Sequence, residues 1–502
     1  METVVQYLLL ALALTSVQIS YTESRLNEKR RDKTERRFHS TQIKDNICEI
    51  TDRESKVHCY CENTEVRTAT RADCWVFNGG IDETDPIWSS FSSQPHLERL
   101  TFNVRSDGAL KFIPLQVIHR MKRLQKLFIH YATLDKIEKR TFSNMSTVRE
   151  ITLMNNKITA LDFSAFTNLP ALVNLTIKEN KVTEIQRDVF VDLPSLRNLD
   201  LSFNSINLAH DACFEHLTVL NDLILEANSI TILTRDTFRG LANLTRLDLR
   251  SNKLAMIGDL TFTELWNLNE LLLDNNELKF LSERAFDGLV LLQKLSMTGN
   301  KLKSINEGLL EGVRGLELLD LRNNELEYFT YENVKPIIEN LKMKTSVLYL
   351  SGNKLSCDCR LSWIQMLRNE SKSEILRAAL DDVTCVLEKV DRSPNDVNFD
   401  VPKSLYELVT NNAPQDPNYE TFYEETSQAF KETTAQPVVK SQISIFDVPI
   451  ETLPCPSELV QNKEDSLMLS SKDESYWQPG SSCSVLSSLT LIVTLGLVCV
   501  LL

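Results

Sequence analysis

Eleven cysteines are the side chains of this chain best suited to covalent chemistry. Four of them lie close together near the N-terminus, with the spacing C-x10-C-x-C-x12-C, at Cys48, Cys59, Cys61 and Cys74. Clustered cysteines form disulfides in an oxidising compartment, whereas in a reducing one they more often bind zinc as thiolates. Spacing alone allows three pairings of the four. The compartment therefore decides their chemistry.

The N-terminal residues indicate secretion. The apolar run Tyr7–Leu14 is typical of a signal peptide and too short to span a bilayer as a helix. We assign residues 1–20 to the signal peptide and expect disulfides, not zinc, at the four cysteines. Residues 21–47 are dense in charge, and we predict a disordered leader there.

The C-terminal residues indicate a lipid anchor. The apolar run Val485–Leu502 carries no Lys or Arg, and small residues precede it. This order is typical of a glycosylphosphatidylinositol (GPI) anchor signal, and an uncleaved tail helix is the alternative. We expect residues 482–502 to be the propeptide. The candidate attachment residues are Gly480, Ser481 and Ser482.

A pattern that repeats every 24 residues from Leu124 to Asn324 positions most other side chains. The pattern is L-x-x-L-x-L-x-x-N-x-L, complete at Leu244–Leu254. A helix would repeat its leucines at three and four residues and would not keep a fixed Asn. The Asn column continues as Asn156, Asn180, Asn204, Asn228, Asn252, Asn276, Asn300, Asn324 and Asn353. We expect each amide to bond the backbone of its own and adjacent turns.

A second column lies ten residues after the Asn position and predicts an aromatic spine in the core. Its members are Phe142, Phe166, Phe190, Phe214, Phe238, Phe262 and Phe286, with Leu310 and Val334 continuing it. Cys213 lies beside this column. A buried free thiol is the prediction there, and an intermolecular disulfide is the alternative.

Composition and motifs argue against catalysis and against nucleic acid binding. The formal net charge is −14, which disfavours a nucleic acid partner. None of the seven His residues is paired at metal spacing, and the chain lacks G-x-S-x-G, H-E-x-x-H and a Gly-rich phosphate loop. We therefore expect no catalytic residues, no metal and no cofactor, and a protein partner.

The repeat motif resembles that of extracellular leucine-rich repeat proteins. The resemblance implies an α/β solenoid with a curved parallel sheet of about ten to eleven repeats and disulfide-bonded caps at both ends. For the N-terminal cap it implies the pairs Cys48–Cys61 and Cys59–Cys74. Cys357-Asp358-Cys359 resembles the start of the C-terminal cap, although the fourth cap cysteine is absent at its usual place.

For the C-terminal cap we expect Cys357–Cys385 and propose Cys359–Cys455, which leaves only Cys213 unpaired in the mature chain. The domain boundaries that follow are 48–96 for the N-terminal cap, 97–355 for the repeats and 356–410 for the C-terminal cap. Residues 411–481, rich in Glu, Thr, Ser and Pro, are predicted to form a flexible acidic stalk.

Partner contacts should come from the variable positions between the leucines. Two columns there mix charge signs, which fits either local ion pairs or a self-complementary surface for a second copy. The candidate contacts are Phe128, Tyr131, Phe203, Glu226, Arg250, Asp274 and Arg322. The candidate N-glycosylation sites are Asn144, Asn174, Asn243 and Asn369. A glycan on Asn174 would project from the concave face.

The order of segments, from charged leader to anchor signal, resembles the insect connectin type of cell-surface adhesion protein. That resemblance implies homophilic cell–cell adhesion at the extracellular face of the plasma membrane, with a role in neuromuscular target recognition and axon guidance. One alternative is a heterophilic receptor or co-receptor for a secreted ligand. Another is a non-catalytic carrier subunit of an extracellular enzyme.

Overall fold

The computed structural model describes residues 46–52, 54–388, 440–449 and 455. The chain divides into two units, Met1–Leu453 and Pro454–Leu502. All but one of the described residues belong to the first unit, and the account that follows concerns that unit unless Cys455 is named.

In the described residues, thirteen strands form one curved sheet. They are β1 (Val57–Cys61), β2 (Arg71–Val76), β3 (Arg99–Val104), β4 (Lys126–His130), β5 (Glu150–Met154), β6 (Asn174–Thr176), β7 (Asn198–Asp200), β8 (Asp222–Ile224), β9 (Arg246–Asp248), β10 (Glu270–Leu272), β11 (Lys294–Ser296), β12 (Leu318–Asp320) and β13 (Val347–Tyr349). The pair β1–β2 is antiparallel, and every later pair is parallel. The predicted leucine-rich repeat solenoid is confirmed.

The 24-residue period sets the register of the sheet. Leu175 lies opposite Leu199, which lies opposite Leu223, so the leucines stack on the buried side of the strands. Successive strand residues point to opposite faces. The residues between the leucines therefore face outward from the concave side.

The Asn ladder is built as predicted, and all of its members except the half-buried Asn204 are buried. Asn252 is typical. Its Nδ2 donates to the carbonyl of Leu225 in the preceding repeat at 2.9 Å and to that of Leu249 in its own repeat at 3.1 Å. Its Oδ1 accepts from the Ile230 N–H at 3.0 Å. One amide thus satisfies three backbone groups at a bend that the sheet leaves unpaired.

The phenylalanine spine is also confirmed, because all seven rings are buried. The rings of Phe142 and Phe166 stack with centroids 5.1 Å apart, and those of Phe238 and Phe262 are 5.9 Å apart. The short strands around this spine are Lys136–Ile137, Phe142–Ser143, Ala160–Leu161, Phe166–Thr167, Glu184–Ile185, Phe190–Val191, Leu208–Ala209, Met256–Ile257 and Phe280–Leu281. The helices and 3-10 turns are Pro86–Ser93, Leu115–Ile118, Glu307–Val313, Tyr331–Val334, Lys335–Ile337 and Ile338–Leu341. Cys213 is a buried free thiol in this layer.

The N-terminal cap extends the concave sheet, which the sequence analysis did not predict. Its strands β1 and β2 continue the sheet beyond the first repeat, and Trp88 packs edge-on against Phe102 with ring centroids 6.0 Å apart. The disulfides Cys48–Cys61 and Cys59–Cys74 have the pairing that the resemblance implied. Asn46 and Ile47, assigned above to the leader, are buried in the cap.

The C-terminal cap begins with the 3-10 turn Cys359–Leu361 and contains the helices Ser362–Glu370 and Glu374–Asp381. Trp363 covers the last repeat, and its Nε1 donates to the Phe329 carbonyl at 3.0 Å. Cys357 is bonded to Cys385 as expected. Cys359 and Cys455 are each disulfide-bonded, and their mutual pairing stays a prediction.

One boundary of the predicted stalk is wrong. Lys440–Ser444 pairs antiparallel with the cap strand Thr384–Glu388, and Ile443, Ile445 and Val448 are buried. The alternation of polar and apolar residues from Gln442 to Ile445 is a strand signal that composition alone obscured. Residues 440–449 therefore belong to the cap.

Several predictions concern residues outside the described ranges. These are the signal peptide, most of the leader, most of the stalk and the GPI attachment region. Within the described ranges, no helix has the length and apolar character needed to cross a membrane.

Candidate functional site

The concave face has three columns of outward residues, and the two columns of mixed charge described above flank a third. The middle column runs across all thirteen strands. Its members are Tyr60, Asp73, Thr101, Phe128, Thr152, Thr176, Asp200, Ile224, Asp248, Leu272, Ser296, Asp320 and Tyr349. Residues in register on one face lie about 4.5–5.5 Å apart at Cβ, so each column is a line of direct neighbours.

The C-terminal half of the face is an ion-pair network around Asp248. This carboxylate is buried and accepts from Arg246 Nη2 at 2.9 Å and from Arg250 Nη2 at 2.7 Å. Arg250 also reaches Glu226 at 3.2 Å, and Arg246 reaches Glu270 at 3.0 Å. These hydrogen bonds and charges raise the pKa of Arg250 above its usual range. The charges of Arg246, Arg250, Glu226 and Glu270 are thus compensated within the network around Asp248.

The same arrangement recurs further along the face. Arg322 makes hydrogen bonds to both carboxylate oxygens of Asp320, with an Nη2–Oδ2 distance of 2.5 Å, and its guanidinium lies 4.3 Å from the Tyr349 ring centroid. Asp274 accepts from the Ser296 hydroxyl and from the Thr298 N–H. The four charged residues predicted as contacts, Glu226, Arg250, Asp274 and Arg322, are thus engaged inside the face. Local ion pairs account for the mixed signs.

The N-terminal half of the face is different. The Arg99 guanidinium lies 4.5 Å from the Phe128 ring centroid, and the Phe128 ring stacks near His130 at 6.2 Å. Thr101 Oγ1, Arg99 Nε and His130 Nδ1 are buried and have no hydrogen-bond partner among the described residues. Burial and the nearby charge of Arg99 lower the pKa of His130, which favours the neutral imidazole.

Tyr131 and Phe203 lie at the rim of the face, in the left-handed turn that follows each strand. Their φ angles are +62° and +54°, and the equivalent position is Gly299 in a later repeat. Tyr131 is 57% exposed and Phe203 is 46% exposed, and Lys178 Nζ lies 4.9 Å from the Phe203 ring centroid. Exposed aromatics of this kind are common anchors of protein interfaces.

Two more aromatic residues lie in this region, and neither was predicted to be a contact. Tyr60 on β1 is 67% exposed and Trp75 on β2 is 38% exposed. Trp75 lies in register with Asn103 and so beside the His130 column. Only a prediction that the cap strands join the sheet would have placed these rings on the face.

Of the four candidate glycan sites, Asn144, Asn243 and Asn369 are exposed, whereas Asn174 is half-buried. Asn174 lies on β6 in the flanking column, and its Oδ1 accepts from Asn198 Nδ2 at 2.6 Å. A glycan on this residue would stand between the aromatic half and the ion-paired half of the face.

Two features outside the concave face also emerge from the fold. Asp188, Glu215 and His216 place ligand atoms within 4.8 Å of one another, but Arg187 already pairs with Glu215 at 2.5 Å. The second feature is a lateral column of apolar side chains, each more than 40% exposed, at the same position of four successive repeats. They are Leu208, Ile232, Met256 and Phe280.

Comparison with known proteins agrees with the fold. The family described as "Leucine rich repeat" matches residues 146–206, 194–254 and 242–302. The repeats, the parallel sheet and the disulfide-bonded caps together define a leucine-rich repeat fold. Solenoids of stacked repeats present an extended concave surface.

A particular relative is Connectin of Drosophila melanogaster. It is 39% identical over 111 residues, a segment that covers 22% of this chain and 16% of that protein. The chain is therefore connectin-like over that segment.

Two solved structures are similar as well. A chain of the Drosophila Toll–Spatzle complex has a TM-score of 0.46 at 21% identity, covering 59% of this chain and 50% of that one. A chain of the octameric complex of Latrophilin 3, Unc5D and FLRT2 has a TM-score of 0.45 at 22% identity, covering 55% and 81%. These likenesses concern the leucine-rich repeat fold alone.

Proposed function

We propose that this chain is a GPI-anchored cell-surface recognition protein that mediates homophilic adhesion, binding a copy of itself on a facing cell. The observation that carries the proposal is the aromatic N-terminal half of the concave face, defined here as Tyr60, Trp75, Thr101, Phe128, His130 and Tyr131 together with Arg99. This half combines exposed rings with unused polar groups, and its exposed rings are the kind of residue enriched at interfaces.

The resemblance to the connectin type of adhesion protein implies the homophilic version of the proposal and a role in neuromuscular target recognition and axon guidance, and the similarity to Connectin over 111 residues supports that resemblance. Adhesion does not require each contact to be strong. Copies held on two facing membranes bind at high effective concentration, so many weak contacts add up through multivalency.

A mixed-cell experiment tests the proposal. Non-adhesive cells that express the full chain are labelled and mixed with cells that do not express it. We expect clusters made only of expressing cells. Clusters that recruit non-expressing cells would replace homophily by heterophilic binding, and the absence of clusters would refute adhesion.

The lateral apolar column offers a rival surface for the same experiment. Met256→Asn removes one of its two middle side chains, and Tyr131→Gly removes a ring from the aromatic half. If only Met256→Asn abolishes clustering, the contact lies on the side of the solenoid and the concave assignment is wrong.

Two alternatives from other classes have their own outcomes. A heterophilic receptor or co-receptor would capture a soluble secreted factor with high affinity, and a carrier subunit would co-purify with an extracellular enzyme in fixed proportion. The anchor is tested separately. Phosphatidylinositol-specific phospholipase should release the protein from cells, and retention would favour an uncleaved tail helix.

A further inference from the structure

The unpartnered polar atoms of the concave face are concentrated in one place. Arg99 and Thr101 lie on β3, and His130 lies on the adjacent strand β4. In the described part of the chain, no other buried side-chain nitrogen or oxygen lacks a hydrogen-bond partner. Thr101 is only 5% exposed, so its hydroxyl is buried almost completely. Proteins rarely leave such atoms unsatisfied without a reason.

The chemistry of the three groups fits an anionic oxygen. A guanidinium only donates hydrogen bonds, a hydroxyl donates freely, and Nδ1 of a neutral imidazole donates in one of its two tautomers. Among the described residues, no carboxylate forms an ion pair with Arg99, and its guanidinium lies over the Phe128 ring, 4.5 Å from the centroid. An oriented, uncompensated guanidinium is the usual partner of a carboxylate, which it binds through two parallel hydrogen bonds.

The cations on the two strands beside β3 are paired, in contrast to Arg99. Arg71 on β2 lies in direct register with Arg99, and its Nη2 pairs with Asp73 at 2.7 Å. Lys126, on the other side of Arg99, pairs with Glu150 at 2.8 Å. Arg71, Arg99 and Lys126 are three consecutive cations in one column, and among the described residues only Arg99 lacks a carboxylate partner. A single uncompensated cation beside aromatic rings suits one carboxylate better than a multiply sulfated chain, which is bound by clusters of basic residues.

We propose that Arg99, Thr101 and His130 form a carboxylate-binding site that receives an acidic side chain of a protein partner. This inference deepens the proposed recognition function and rests on it for the protein nature of the partner, but it does not require the partner to be a second copy. The neighbouring rings of Phe128 and Tyr131 would pack against the residues beside that carboxylate.

A short acidic peptide tests the site directly. The full chain is purified, and the binding of fluorescent hexaglutamate is compared with that of hexaglutamine by anisotropy. We expect at least tenfold tighter binding of hexaglutamate. The net charge of −14 repels acidic peptides in general, so a preference of this sign points to a local site.

Arg99→Gln removes the charge while keeping a polar side chain, and we expect it to reduce hexaglutamate affinity at least tenfold. Arg71→Gln is the matched control, because that guanidinium is already paired, and we expect less than a twofold change. Thr101→Val removes only the hydroxyl and should reduce affinity severalfold. It serves as the second variant if Arg99→Gln does not fold.

Several outcomes would overturn the site. Equal losses in the Arg99 and Arg71 variants would mean diffuse attraction, and tighter binding of a heparin fragment than of hexaglutamate would mean a sulfated ligand. Cells that cluster although the protein shows no preference for hexaglutamate would leave adhesion intact and remove this site. The converse result, peptide binding without clustering, would support the site and refute homophily.

Discussion

Thr101 and Asp248 occupy the same column of the concave sheet, six strands apart, and have opposite surroundings. Asp248 is buried and bonded to two arginines, whereas the buried Thr101 hydroxyl has no partner among the described residues. The position within the repeat therefore does not determine whether a concave residue has a hydrogen-bond partner. The residues of the flanking columns determine it, because they either provide a group that pairs with the central side chain or do not.

The face therefore has a C-terminal half whose contact charges are paired and an N-terminal half that contains unpartnered polar groups. In the C-terminal half, each of the predicted contact charges already binds a neighbour, so a partner would have to break ion pairs to use them. At Arg99, Thr101 and His130 in the N-terminal half, a partner would gain hydrogen bonds without breaking any. The two halves thus differ in what binding requires of them.

The largest expected effect is on stability and comes from removing the buried carboxylate of the ion-pair network. Asp248→Ala leaves Arg246 and Arg250 close together without their shared counter-charge, and we expect a loss of about 3 kcal/mol in the free energy of unfolding. Denaturant unfolding followed by circular dichroism measures it. Asp222→Ala, on the neighbouring strand and without an ion pair among the described residues, should change stability by less than about 0.5 kcal/mol. A loss below about 1 kcal/mol in the first variant would show that the network contributes little to stability.

The next effect concerns recognition in the N-terminal half. Tyr131→Gly removes an exposed ring and introduces a residue that tolerates the left-handed turn, as Gly299 does at the equivalent position. We expect about a tenfold weaker self-association, or about 1.4 kcal/mol, measured by surface plasmon resonance. Trp266→Asn is the control, because that ring is equally exposed, at 57%, but lies away from the concave face. Equal effects of the two changes would argue against a local interface.

A smaller change in stability, of opposite sign, is expected at Thr101. Thr101→Val removes a buried hydroxyl that has no partner, so the folded protein should gain about 0.5–1 kcal/mol in stability. Thr261→Val is the matched control, because Thr261 is equally buried and its hydroxyl donates to the Gly258 carbonyl at 3.0 Å. That change should lose about 1 kcal/mol. If both variants were destabilised alike, the Thr101 hydroxyl would have to be satisfied in solution.

The smallest expected effect is a pH dependence due to His130. The pKa of this imidazole is lowered in the folded protein, mainly by burial and then by the charge of Arg99. As pH falls through about 6.5, the unfolded chain takes up a proton that the folded chain resists, so stability is present above that pH and declines below it. In His130→Gln the fall in Tm between pH 7.5 and 5.5 should be smaller by on the order of one degree. An identical fall in both proteins would contradict this assignment.

The regular columns of the repeat could be predicted from the sequence because one side-chain type recurs at a fixed spacing. The Asn252 amide and the Phe238 ring are where that periodicity places them. The fate of Arg250 and of Thr101 could not be predicted in this way. It depends on which residues stand beside them on adjacent strands and on how those side chains turn, and a repeat motif leaves those positions free.

The caps were predicted less completely for a related reason. Cysteine spacing indicated where they lie, but a strand in a cap has no repeat to mark its register. The position of Trp75 on the concave face was therefore not predicted. The burial of Ile445 in the C-terminal cap was not predicted either, because the polar composition of its segment suggested a stalk. Short strands of mixed composition are recognised only when their partner strand is known.

The Asn ladder also bears on how the chain is synthesised. Each of these amides bonds backward to backbone groups at least 22 residues earlier, as Asn228 does to Ile206 and Leu201, 22 and 27 residues before it. When the chain leaves the ribosome from its N-terminus, the partners of each new Asn have therefore already emerged. The disulfide-bonded N-terminal cap supplies the first surface, and each completed turn templates the next. The solenoid is built to fold in the direction of translation, one repeat at a time.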